Sequence, residues 1–185
     1  MKAKLIIFAG LLLCFAACSS PLRNAQGTYR YKTTGTVILE EHYAGATPAD
    51  TLVAVLDNES GSMELVSLHH DDSLLMTIDP LNGSVAVSRA ELKDDRLYFE
   101  PYDRTIEVYT TKKTYDTVAI DLGFYALDTV FVIERNVYEA FDITVSGYAE
   151  VYDNNLVFRL DYAGQSKTTE RTLRGKGITS LAKKN

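Results

Sequence analysis

The sequence predicts an all-β domain, an antiparallel up-and-down meander closed into a β-barrel, with a two-sheet β-sandwich as the alternative. Three observations predict it. From residue 27 onward apolar side chains recur with period two in short runs, and no stretch of a dozen residues shows helical spacing. The runs are divided by short clusters of turn residues, so successive strands pair as hairpins and no βαβ unit is present. About ten such runs in one succession would leave two long edges in an open sheet, and closure hides edges best.

The first run, 29–39, is a Thr-rich strand opened by Gly27-Thr28-Tyr29. Runs at 52–56 and 63–68 follow, separated by Asp57-Asn58-Glu59-Ser60-Gly61. His69-His70-Asp71-Asp72 and Asp79-Pro80-Leu81-Asn82-Gly83 read as further turns, and 85–92 and 97–102 as strands on either side of Lys93-Asp94-Asp95. Next come 106–110, a turn at Lys112-Lys113, 118–122 and 130–133. Two runs alternate most cleanly. Phe141, Ile143, Val145 and Gly147 oppose Asp142, Thr144, Ser146 and Tyr148, while Leu156, Phe158, Leu160 and Tyr162 oppose Val157, Arg159 and Asp161. Asp153-Asn154-Asn155 between them is a hairpin turn. Gly175-Lys176-Gly177 reads as a bend in a terminal strand. Leu52-Val53-Ala54-Val55-Leu56 and Val130-Phe131-Val132-Ile133 are apolar on both faces, so a neighbouring segment, 138–140 or the C-terminal tail, is expected to cover their outer side. Most other runs keep a polar face, which argues against an outer-membrane barrel with its continuous lipid-facing band.

The chain has 185 residues, 46% of them hydrophobic and 24% charged, which fits one soluble domain with a real core and excludes a disordered or multi-span membrane protein. Lys2 and Lys4 precede an apolar run, 5–17, that would extend about 20 Å as a helix, short of the ~30 Å needed to span a bilayer. It reads as a secretory signal. Ala16-Ala17-Cys18 resembles the lipobox of bacterial lipoproteins, which implies cleavage before Cys18 and lipid attachment to it. The expected organisation is a signal peptide at 1–17, a lipidated tether at 18–26 and one barrel domain at 27–185. Cleavage removes Cys14 and leaves Cys18 acylated, so no disulfide, thiolate nucleophile or Cys-ligated metal is expected. It also takes two of the 19 basic side chains and none of the 25 acidic ones, and so acidic a surface disfavours nucleic acid. The expected membrane contact is the lipid anchor itself.

Gly27-Thr28-Tyr29 with its Thr-rich strand, the many short hairpins, and the closing Val145-Ser146-Gly147-Tyr148-Ala149 and Asn155-Leu156-Val157-Phe158-Arg159-Leu160-Asp161-Tyr162 resemble the lipocalin-like, or calycin-like, lipoproteins of gut Bacteroidetes. The resemblance implies an up-and-down barrel that holds a small apolar ligand or is filled by its own side chains. It implies an envelope protein anchored to the outer membrane. The tether carries no acidic cluster after Cys18, which favours a periplasm-facing domain. Asp50-Thr51, Asp72-Ser73, Asp116-Thr117 and Asp128-Thr129, each followed by an apolar residue, resemble the O-glycosylation sequons of the same bacteria and make Thr51, Ser73, Thr117 and Thr129 candidate sites.

No catalytic constellation stands out. His69 and His70 are adjacent, so on a strand they would point to opposite faces, and no third metal donor follows at ligand spacing. His42 beside Glu40-Glu41 has no marked nucleophile near it. The acidic pairs Asp94-Asp95 and Glu150/Asp153 sit at turns, and neither a nucleophile elbow nor a phosphate-binding loop is present. The reading is a non-enzymatic protein without cofactor or metal. Tyr29, Phe99, Phe141, Ile143, Phe158 and Leu160 are the candidates to line a ligand cavity. Tyr98, Tyr102, Tyr109, Tyr148 and Tyr152 fall on the polar parity of their strands, which offers a second reading, an interaction module binding an envelope protein or glycan through its outer surface.

Overall fold

The computed structural model describes residues 25–41, 50–68, 73–121 and 126–185, by backbone alone at 50, 58, 115–121 and 126–132. Its strands are β1 (Gly27–Glu41), β2 (Asp50–Ser67), β3 (Ser73–Pro80), β4 (Ala86–Lys93), β5 (Arg96–Phe99), β6 (Tyr102–Asp121), β7 (Ala126–Tyr152), β8 (Asn155–Ser166) and β9 (Thr172–Lys184). They form one antiparallel sheet in the order β5-β4-β3-β2-β1-β9-β8-β7-β6, closed by β5 against β7. Since β5 and β6 run one after the other along the same edge of β7, the result is an up-and-down barrel of eight staves. Closure of β1 on β9 is made by nine residue pairs from Tyr29↔Lys184 to Glu40↔Thr172.

Period two decides the inside. Tyr29, Tyr31, Thr33, Val37 and Leu39 of β1 point inward, as do Leu156, Phe158, Leu160 and Tyr162 of β8. Two bulges reset that alternation. On β2 one extra residue between Leu56 and Glu59 keeps the strand paired to β1 while the inward parity changes from Ala54 and Leu56 to Met63 and Leu65. On β9 the extra residue is taken up at Gly177, with φ +65°, and both flanking strands register the shift.

The turn expected at Asp57-Asn58-Glu59-Ser60-Gly61 is thus a bulge inside one long strand. Likewise Lys112-Lys113 continues β6, because Arg135 and Glu134 of β7 pair with them and the ladder never breaks. Asp94 and Asp95 both take positive φ, the mirror-image hairpin turn suited to a twisted ribbon, and Asp153 begins the turn from β7 to β8.

Buried groups mark both ends of the barrel. At the base, where the chain enters, Ala25 is buried and its carbonyl accepts a 2.8 Å hydrogen bond from the Tyr29 hydroxyl. At the opposite end Arg171 spans β1 and β7, with Glu41 at 2.8 Å and Glu139 at 3.1 Å, and donates to the Thr111 carbonyl. Beyond that roof β6 and β7 continue as a two-stranded arm whose outer pairs reach Asp121↔Ala126.

Candidate functional site

Six residues proposed to line a cavity all point inward: Tyr29, Phe99, Phe141, Ile143, Phe158 and Leu160 are each buried. They meet packed side chains. Phe99 lies against Tyr102 at 5.8 Å and Phe158 at 6.1 Å between ring centres. The central space of the lumen, bounded by Phe158, Leu160, Met63 and Ile78 on the apolar side, is about 20 Å³, on the scale of one water molecule.

The polar side of that space went unseen in the sequence. Arg104 and Glu59 form an ion pair inside the barrel, their side chains 2% and 11% exposed. The Tyr162 hydroxyl donates to Glu59 at 3.1 Å, and Thr33 donates to Ser180 at 3.0 Å beside it. The Tyr31 hydroxyl and Arg104 Nε are buried without a well-aligned hydrogen-bond partner. Tyr102, expected on an exposed face, is buried here, because the step through Glu100-Pro101 shifts the inward parity from Phe99 to even-numbered residues. Tyr98, Tyr109 and Tyr152 are exposed, and Tyr148 is half-buried.

Burial pushes the Tyr102 and Tyr162 phenols above their usual 10.0, and the Glu59 carboxylate pushes the same way while Arg104 opposes. Each therefore ionises more readily in the unfolded chain. The sign follows: their contribution is intact below pH ~10 and is lost above it, at about 1.4 kcal/mol per pH unit for each tyrosine. In an alkaline titration these two phenols should ionise only together with loss of the β-sheet signal. Tyrosinate absorbance that accounts for both while the barrel stays folded would overturn this.

The larger spaces lie between β2 and β6, where β3, β4 and β5 are short, and the inward residues Leu39 and Leu52 border one of them. Among the described residues β2 pairs with β3 only from Gly61 onward, and β6 has no strand on its outer edge above the loop at 81–85. Two open strand edges therefore flank a lateral cleft. It holds two adjoining volumes of about 270 Å³ each, both bordered by Leu52 and Thr111. One end carries Glu41, Lys113, Glu134 and Arg171, and the other Val53, Val55, Tyr109, Thr110 and Tyr138. Val53 and Val55 are 65% and 60% exposed, so the cover expected over this doubly apolar run is not there among the described residues. Tyr138, at 62% exposed, instead stacks on Tyr109 across the arm with ring centres 5.1 Å apart. Inside the cleft the buried Thr110 hydroxyl has no partner.

Of the candidate glycosylation hydroxyls, Thr51 is exposed and Ser73 is 1% exposed, facing inward; the side chains of Thr117 and Thr129 lie outside the described residues. So do His42, the 69–72 cluster and Cys18. Among the described residues no three His, Cys, Asp or Glu side chains gather as a metal site, and no helix is long and apolar enough to cross a membrane. Asp94-Asp95 is a surface turn, and Glu150 is engaged by the Tyr152 hydroxyl at 3.1 Å. No protein-family model, curated protein or solved structure matches the chain.

Proposed function

We propose that this chain is a lipid-anchored, non-enzymatic protein of the bacterial envelope whose barrel serves as an interaction module, taking an extended segment of an envelope protein into the lateral cleft as an added strand. The observation that carries the reading is the pair of edges on β2 and β6 that have no ladder partner among the described residues and lie beside apolar side chains, the requirements of strand addition. An alternative carrier role, with a small apolar or amphipathic ligand inside, is less well supported because the space that Phe158 and Leu160 border is about 20 Å³. Placement agrees with the interaction role. The described chain begins with Ala25 at the base, and the cleft lies at the other end.

Photo-crosslinking in membranes of cells expressing the full chain tests this. A photoreactive residue at Tyr109 should capture a protein adduct that the same residue at Tyr98 does not. Val53→Lys combined with Val55→Lys should lower that adduct at least about tenfold, since it places two charges where apolar anchors would seat. Equal capture at Tyr98, or capture indifferent to the valine changes, would refute the cleft as the binding surface.

A further inference from the structure

We propose that the cleft selects a basic segment, an extended stretch of its envelope partner whose Lys or Arg, two residues from an apolar side chain, seats against Asp57 and Glu107 at the cleft floor. Such selection presupposes the strand addition proposed for the cleft. The loop at 81–85 sets the floor: the Leu81 amide donates to the Ser60 carbonyl of β2 at 2.9 Å, and the Ser84 hydroxyl oxygen lies 3.5 Å from the Thr105 amide of β6. Above it, Asp57, Val55 and Val53 climb the outer face of β2, their neighbours Leu56 and Ala54 being buried. Glu107 and Tyr109 climb the outer face of β6 among the buried Ile106, Val108 and Thr110, and Tyr138 of β7 pairs with Tyr109. Both rows put the acid lowest. Val55, Asp57, Glu107, Tyr109 and Tyr138 border one notch of about 50 Å³, together with Asn82 of the loop.

Charge complementarity selects the occupant. Among the described residues Asp57 and Glu107 hold no ion pair and no side-chain hydrogen bond, and both are exposed. The other charges along the cleft are matched already: Glu59 by Arg104, Glu41 by Arg171, and Glu134 by Lys113. The unmatched charge is therefore negative and sits at the floor, beside two tyrosine rings whose faces favour a cation. An acidic segment meets two repelling carboxylates there. On each row the acid and its apolar or aromatic neighbour are two residues apart, ~6.6 Å along the strand, so a segment laid beside them presents its cation and its apolar side chain at the same spacing. The stem of a Lys or Arg also covers apolar surface while its head reaches a carboxylate. A second observation calls for a ligand in the same place. The Thr110 hydroxyl, on a residue 4% exposed, borders the volume that Asp57, Tyr109 and Tyr138 also border, and it has no hydrogen-bond partner; a backbone group of an added strand would satisfy it.

The test uses the full chain in membranes, with the photoreactive residue at Tyr109. Asp57→Lys combined with Glu107→Lys should lower the protein adduct at least about tenfold, and the neutral pair Asp57→Asn with Glu107→Gln about threefold. Both positions are exposed, so circular dichroism of the detergent-extracted variants should match that of the parent. Mass spectrometry of the adduct should find a Lys or Arg within about two residues of the attachment point. Replacing that basic residue by Glu in the captured partner should restore the adduct with the doubly lysine-substituted chain. An adduct that survives the charge reversal, or an attached segment without a basic residue, overturns the selection and leaves strand addition standing. No adduct from Tyr109 in any variant, the parent included, removes both.

Discussion

Glu59→Leu should destabilise the barrel by about 3–5 kcal/mol, the largest loss expected from a single polar side chain here. The reason is the partner left behind. Arg104 is 2% exposed, so without Glu59 its charge stays in a low-dielectric interior, and the Tyr162 hydroxyl loses its acceptor as well. Removing both ions together reverses most of that loss. Glu59→Leu with Arg104→Met should unfold within about 2 kcal/mol of the parent, because apolar side chains of similar volume replace a pair whose Coulomb gain was already offset by desolvation. Urea unfolding of the chain and its variants supplies the comparison. A single variant as stable as the parent would mean that water reaches Arg104 and that the pair is not enclosed.

The same pair marks where the sequence stops being readable. Strand periodicity is a local signal, and it correctly places β1, the inward row of β8 and the hairpin at Asp153-Asn154, since each needs only its own alternation. Glu59 faces inward because an extra residue in β2, two positions earlier, flips the parity, and a bulge of that kind looks like a turn when only Asp, Asn, Ser and Gly are seen. Arg104 sits at an even position in a run whose apolar members, Ile106 and Val108, begin just after it; the signal was present and was masked by charge. β3 was hidden between two clusters of turn residues. The cleft was not legible at all, for it arises from the unequal lengths of β2, β3 and β6, which are fixed by pairing across the barrel. Only the doubly apolar run at 52–56 hinted that an outer face was left to be covered.

Phe158→Arg should leave no folded barrel, whereas Phe158→Ala should cost about 3–5 kcal/mol and still fold if the parent stability exceeds that. Phe158 is 5% exposed, stacks on Phe99, and borders the space of about 20 Å³ shared with Arg104, Tyr31 and Tyr102. An alanine there leaves a cavity, whose cost is lost burial and contact. An arginine adds a second cation to an interior that holds one, and Glu59 is already engaged by Arg104, Tyr162 and the layer around Thr33. Among the described residues no second carboxylate borders that space, so the new charge has no partner there. The two substitutions therefore separate a solid lumen from an open one. In a water-filled or ligand-sized cavity the arginine would be solvated and the variant would fold, with a circular dichroism spectrum and an unfolding midpoint close to those of the alanine variant; a filled barrel predicts that only the alanine variant gives a cooperative transition.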